Sequence, residues 1–179
     1  NNVTQGADDI SGWNGLCVDS DNNVNGIMWS AMNLRGTIAF QWLPPTLQAL
    51  YVINPELEGT IDLTSIPETL VAINIHGSSF SGSVNLERLP PKLTDLFLNE
   101  NNFSGTVNLT MLPNTLVYLY LNDNQLTGTL DVTRLPKSLK DLRLSNNKFF
   151  GEIEVSYVQS LQAFFIHGTD LIEIRHGLE

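Results

Sequence analysis

Cysteine is almost missing from this chain of 179 residues: Cys17 stands alone, so no internal disulfide can form. Basic side chains are also scarce, 9 Lys and Arg against 19 Asp and Glu, for a formal charge of -10. Nucleic acid and anionic membrane both demand a basic footprint, so neither is expected as a partner. No apolar run approaches the roughly 18 residues needed to cross a bilayer, and no direct membrane insertion is expected. Asn1 opens no signal-peptide pattern either, so any leader is expected to have been removed. With 3 histidines and no grouping of serine, cysteine and histidine at a common place, an enzyme is not expected. No cofactor and no metal site are expected.

What the chain does have is a period. From Leu93 to Asn147 it reads LTDLFLNENNFSGTVNLTMLPNT, LVYLYLNDNQLTGTLDVTRLPKS and LKDLRLSNN, with copies 23 residues long. The skeleton is L-x-x-L-x-L-x-x-N-x-[LF]-x-G-[TS]-x-x-[LV]-x-x-L-P-x-x. Repeats begin at Val24, Leu47, Leu70, Leu93, Leu116 and Leu139, and a partial seventh begins at Leu161 after a sixth that is one residue short. A fixed period of this length signals a stacked array in which each copy buries its apolar face only against its neighbours.

Each copy carries two apolar segments. Position four holds Ile27, Leu50, Ile73, Leu96, Leu119, Leu142 and Phe164, and position six holds Trp29, Val52, Ile75, Leu98, Leu121, Leu144 and Ile166. Alternation across positions four to six is the mark of a strand with one buried face, and seven such strands running the same way round the coil must be parallel. Position thirteen is glycine six times (Gly36, Gly59, Gly82, Gly105, Gly128, Gly151), which predicts a bend with positive φ or close backbone approach. The stretch after it, as in Thr60-Ile61-Asp62-Leu63, alternates again and predicts a short second strand away from the main sheet. Pro44, Pro67, Pro90, Pro113 and Pro136 then close the coil in turns with a tight 3₁₀ bend. The expected fold class is a mostly β repeat solenoid with little α-helix.

Residues 1–23 stand outside the repeat and are expected to cap the first open coil, with Trp13 as a lid. Cys17 reads most simply as a small buried hydrophobe, or as a partner for something outside the chain. Asp19-Ser20-Asp21-Asn22-Asn23 faintly resembles a calcium loop, but Val24 occupies the position that needs glycine, so an Asn/Asp turn is expected. The domain reading is therefore a cap over 1–23, six repeats over 24–160, and a partial seventh repeat with the C-terminal end over 161–179.

The pattern resembles the leucine-rich repeat family across residues 24 to about 174. The N-x-[LF]-x-G-x-[IVL] element is similar to repeats of extracellular plant receptors, and the L-P-x-x-L-x-x-L-x-L linkage is similar to those of protist surface antigens and bacterial effectors. The lead-in W-x-G-x-x-C looks like the cap-to-first-repeat join of extracellular members, whose cap has a cysteine pair where this chain has only Cys17. The resemblance implies a right-handed coil, a concave main-sheet binding face and an asparagine ladder at position nine. Here the ladder exists only as Asn101, Asn124 and Asn147; Met32, Pro55, Ser78 and Thr169 hold the position elsewhere. The early repeats are accordingly expected to be bent or irregular, with curvature changing near the third.

On that face, position five reads Met28, Tyr51, Asn74, Phe97, Tyr120, Arg143 and Phe165. Strands about 4.8 Å apart make this a column roughly 29 Å long. Position seven adds His76, Asn99 and Asn122, and position three adds Tyr118. Aromatics and arginine are the types enriched at binding hot spots, and an exposed apolar stripe points to a partner; the alternative is cross-strand pairing that only stabilises the sheet. Arg143, between Tyr120 and Phe165, suits a carboxylate or a stacked ring, or else pairs with Asp141. His76 and His167 share a column but lie about 19 Å apart, too far to hold one metal. The candidate ligand-binding set is Tyr51, His76, Phe97, Asn99, Tyr118, Tyr120, Asn122, Arg143 and Phe165.

Three sequons, at Asn2, Asn102 and Asn108, avoid the concave columns and hint at secretion. The leading expectation is a non-enzymatic recognition module, extracellular or at the cell surface, binding a protein, peptide or glycan on its main-sheet face as a monomer or weak self-associator. A structural, self-associating surface array and the repeat arm of a bacterial effector are the alternatives.

Overall fold

The computed structural model of the chain describes residues 14–30 and 34–175. Asn2, Trp13 and Met32, and with them the proposed lid and the first sequon, lie outside the described residues.

The described chain is a β-solenoid. It begins with β1 (Leu16–Val18) and β2 (Val24–Ser30). Paired strands follow: β3 (Ala49–Ile53) with β4 (Glu58–Thr60), β5 (Ala72–Asn74) with β6 (Ser79–Gly82), and β7 (Asp95–Phe97) with β8 (Asn102–Gly105). The last pairs are β9 (Tyr118–Tyr120) with β10 (Gln125–Gly128), β11 (Asp141–Arg143) with β12 (Lys148–Glu154), and β13 (Ala163–Phe165) with β14 (Asp170–Ile174). The main sheet has the order β1-β2-β3-β5-β7-β9-β11-β13 and the second sheet β14-β12-β10-β8-β6-β4. All seven repeat strands of the main sheet are parallel, as the period requires; β1 alone is antiparallel and occupies the outer edge of β2. Helix among the described residues is confined to two 3₁₀ turns, Phe40–Trp42 and Val155–Tyr157.

The core between the sheets is a set of columns. Leu50, Ile73, Leu96, Leu119 and Leu142 at position four, and Phe80, Phe103, Leu126 and Phe149 at position eleven, are all fully buried. At position nine, Asn101, Asn124 and Asn147 build the ladder. Asn124 Oδ1 accepts from Phe103 N–H of the preceding coil at 3.0 Å, and its Nδ2 donates to the carbonyls of Leu98 and Leu121 at 3.0 Å. One side chain thereby satisfies backbone groups of two coils, which a buried bend cannot leave unpaired.

The second strand is not where the sequence placed it. It runs up to and through the glycine, as in Gln125–Gly128, and the alternating stretch after it is irregular in the inner coils; only in the sixth does the strand run on past Gly151 to Glu154, as expected. The alternation there is real but serves the core: Ile61, Leu63, Val84 and Leu86 are buried without a ladder partner strand. The glycine itself meets expectation, with positive φ in all six copies. The proline turns also form, each proline carbonyl accepting from the leucine three residues on, such as Leu93 N–H to Pro90 O at 3.0 Å.

Cys17 is exposed, contrary to the expectation of burial. It sits at the middle of β1, the edge strand of the main sheet, facing Gly26, where no second layer covers it. Asp19 does form the expected turn, its Oδ1 accepting from the backbone N–H of Asp21 and of Asn23, both at 2.9 Å. The N–H of Asn23 is foremost in holding this exposed carboxyl below its usual range.

The expected irregularity appears in the second repeat. Position eight adopts positive φ in the third to seventh coils (Gly77, Glu100, Asp123, Asn146, Gly168), but not at Asn54. There Leu57 N–H turns back to Asn54 O at 3.1 Å, and Ser78 Oγ takes the Asn54 N–H at 3.3 Å. The Asn54 Nδ2 is left buried and unpartnered.

Candidate functional site

Strand register settles which side chains share the outer face of the main sheet. Cα pairing runs Met28–Tyr51–Asn74–Phe97–Tyr120–Arg143–Phe165 without a slip, so position five is one continuous column. Its aromatic members form two groups. Tyr51 is separated from the rest by Asn74 on β5 and joins no ring contact among the described residues. Phe97, Tyr118, Tyr120, Arg143 and Phe165 come together.

The centre of that group is a stack. The Phe97 and Tyr120 ring centroids lie 4.6 Å apart, the Arg143 guanidinium carbon lies 4.1 Å from the Tyr120 centroid, and 5.3 Å separates it from the Phe165 centroid. Tyr120 therefore has an aromatic ring on its β7 side and a cation on its β11 side. Tyr118 stands against both rings, 6.4 Å from Phe97 and 6.5 Å from Tyr120. Offset and edge contacts of this kind, with an arginine over a ring face, add about 0.5 to 1.5 kcal/mol each to simple burial.

Asp141 organises the stack from below. It is buried, accepts the Tyr120 hydroxyl at 2.8 Å, and accepts Arg143 Nε at 3.2 Å and Nη2 at 3.0 Å. Burial first, and the Asp141 carboxylate second, push the Tyr120 hydroxyl up to about 12. The bond to Asp141 also raises the Arg143 guanidinium above its usual value, so the cation is permanent. Of the readings of Arg143, the pair with Asp141 forms, and the guanidinium also stacks on the chain's own Tyr120 and Phe165 rings. Its side chain remains 41% exposed, so its outward N–H groups face solvent.

Two shallow clefts flank this rib, and Arg143 and Asn122 line both. One, about 320 Å³, also takes His76, Phe97, Asn99 and Tyr120; the other, about 270 Å³, also takes Ser145, Phe165 and His167. His76 Nδ1 lies 2.7 Å from Asn74 Oδ1, and His167 Nδ1 lies 2.9 Å from Ser145 Oγ, which holds each ring in place. Tyr118 and Phe165 present the most open faces, 38% and 42% exposed. Sequence reasoning did not single out Asn74, Glu100, Asp123 and Ser145 as lining residues; the αL bend at position eight, which swings Glu100 and Asp123 to the cleft rims, was its missing signal. A larger cavity of about 550 Å³ lies at the N-terminal end between Leu16, Trp29 and Leu57. The rib, with its ring stack and its ion pair to Asp141, is the better-defined candidate.

Asn102 and Asn108 are both exposed and outside the main sheet, Asn102 on β8 of the second sheet. Asn108 Oδ1 accepts the Thr110 N–H at 2.9 Å and its hydroxyl at 2.7 Å.

A 23-residue repeat with a buried leucine strand, an asparagine ladder and a parallel main sheet defines a leucine-rich-repeat solenoid, and the chain is one. No family model matches the sequence, and no curated protein matches it. Solved structures do. A pollen receptor kinase 3 is 27% identical with a TM-score of 0.76, over 94% of this chain and 85% of that one. The receptor kinase HAESA of Arabidopsis, solved with the peptide hormone IDA and a co-receptor, is 24% identical with a TM-score of 0.73 over 89% of this chain. The chain spans only 28% of the HAESA structure. The leucine-rich-repeat ectodomain of the receptor kinase SOBIR1 from Arabidopsis thaliana is 23% identical, with a TM-score of 0.57, over 92% of this chain and 84% of that one.

Proposed function

We propose that the chain is an extracellular, non-enzymatic recognition module that binds an extended peptide or protein segment along the concave main-sheet face. The observation that carries the reading is the rib from Phe97 through Tyr120 and Arg143 to Phe165, rigidified by buried Asp141. Preorganised aromatic and arginine side chains lose little entropy on binding, which is what makes such residues hot spots. The HAESA structure contains a peptide hormone, and the fold this chain shares with it supports a peptide as the ligand class. His76, Asn99 and Asn122 would then supply side-chain hydrogen bonds beside the rings, with Tyr51 outside the main contact. The cap over 1–23, the six repeats over 24–160 and the partial seventh over 161–179 serve as scaffold in this reading. Glycans at Asn102 and Asn108 would leave the face open.

Peptides selected from a displayed library against the immobilised chain test the reading, with a glycan array scored alongside. Selected peptides are expected to lose at least about tenfold in affinity on Tyr120→Ala and on Arg143→Ala, with the thermal transition of each variant still cooperative. Equal binding to wild type and both variants removes the rib from the function. Saturable glycan binding that those substitutions abolish, with no peptide selected, replaces the peptide by a sugar.

A further inference from the structure

The carboxylates on the outer face of the main sheet all stand beside the rib. At positions two, three, five, seven and eight the first three coils and the seventh carry none; Asp95, Glu100, Asp123 and Asp141 lie in the fourth to the sixth. Arg143 neutralises Asp141. The other ion pair among the described residues joins Arg35 to Glu56, so Asp95, Glu100 and Asp123 have no cationic partner there. The same columns add one further cation, Lys140 at position two, the opposite end of the strand from position eight.

Two of the unpaired carboxylates are drawn toward the rib. Asn99 Nδ2 donates to Glu100 Oε1 at 3.2 Å, and Asn122 Nδ2 donates to Asp123 Oδ2 at 2.6 Å. With its amide so engaged, Asn122 keeps Oδ1 buried with no donor among the described residues. An unpaired amide oxygen adds to the negative potential of the cleft above it. That cleft, about 320 Å³, is lined by Asn99, Glu100 and Asn122 together with Phe97. Phe97 gives one face to Tyr120, while on its β5 side the register places Asn74, so no ring or guanidinium among the described residues covers that face. An open ring face beside unpaired carboxylates suits a cation on both counts.

We propose that the peptide segment bound at the rib is basic, an inference that rests on the rib being the binding surface. An arginine or lysine of the ligand lies over the open face of Phe97 and extends the stack that runs through Tyr120 to Arg143, with its charge against Glu100. Further basic residues meet Asp123 and Asp95. Arg143 does not repel such a ligand strongly, because Asp141 balances its charge. The formal charge of -10 on the whole chain draws a cationic segment in from a distance.

The probes are the peptides selected from the displayed library, each beside a copy in which every Lys and Arg is replaced by Gln. The neutral copies are expected to bind at least about tenfold more weakly. Binding of the parent peptides is expected to fall as salt rises from about 50 mM to about 500 mM, because the charges are exposed. Glu100→Gln with Asp123→Asn, amides of the same shape, is expected to flatten that salt dependence and to cost at least about tenfold in affinity. Peptides that need Tyr120 yet bind as well in their neutral copies, or as well to the double variant, overturn the basic ligand and leave the rib as the binding surface. Peptides indifferent to Tyr120→Ala, or a library that yields none, overturn both. Should the double variant lose its cooperative thermal transition, Glu100→Gln alone decides in its place, since it disturbs a single bond of 3.2 Å.

Discussion

Tyr120 shows how much a single side chain can report. Its ring is held between Phe97 and Arg143 and its hydroxyl is tied to Asp141, so ionising it costs a hydrogen bond and places two anions side by side. A tyrosinate absorbance titration of the 4 tyrosines is expected to show Tyr120 ionising late, at about 12. Because the folded value lies above the ordinary 10.0, the contribution to stability is fully present below that pH. It is lost as pH rises from 10 through about 12, since only the unfolded chain releases the proton readily in that window. Asp141→Asn removes the charge and is expected to bring the late ionisation down; a titration unchanged by that substitution would show that burial alone sets it. The position-five column was legible in the sequence because period two leaves no choice of face. That Asp141 would be buried under it was only half legible, as one of two possible partners for Arg143.

At the level of the element, the glycine at position thirteen combines two constraints that a sequence pattern cannot separate. Gly128 has φ +94, and a Cβ there would come within 2.8 Å of Thr106 Cγ2 of the preceding coil. Gly36 has nearly the same φ, +98, with nothing among the described residues within 4 Å. Gly36→Ala is therefore expected to cost about 1 to 2 kcal/mol from backbone strain alone, and Gly128→Ala measurably more. Chemical denaturation of the two variants checks this, and equal losses would mean that the threonine moves aside freely. The repeat's return half was the least legible part of the fold. Alternation at Thr60-Ile61-Asp62-Leu63 reads as a strand, yet those apolar residues point into the core from an irregular segment, because Asp62 Oδ1 binds the Thr64 N–H at 2.9 Å and turns the chain. Asn85, Asn108 and Asp131 make the same turn at the same position. The αL bend at position eight was hidden as well. Glycine marks it at Gly77 and Gly168, but Glu100, Asp123 and Asn146 adopt it because the coil demands it, not because their side chains favour it equally.

Across the whole molecule, stability in a stacked array is close to a sum of coil terms and nearest-neighbour terms, so local differences between coils should survive as differences in local opening. All coils from the second to the sixth bury their position-four residue completely, so the core does not distinguish them. The bends do. Between the third and sixth coils, Asn101, Asn124 and Asn147 lock neighbouring backbones with bonds of 2.9 to 3.1 Å. In the second coil that lock is replaced by a local turn at Leu57 and a buried, unpartnered Asn54 Nδ2, a group whose desolvation costs about 1 to 3 kcal/mol. Native-state amide exchange is expected to follow this division. The N–H groups of Leu98, Phe103 and Leu121 should exchange only through the largest openings, while that of Leu57 exchanges at least about tenfold faster, a difference of about 1.4 kcal/mol. Asn124→Ala should narrow the gap by speeding exchange at Phe103, whose N–H it leaves without its acceptor, with little change at Leu57. Uniform protection from the second coil to the sixth would instead mean that the apolar stack alone sets how the solenoid opens, and that the ladder adds nothing to it.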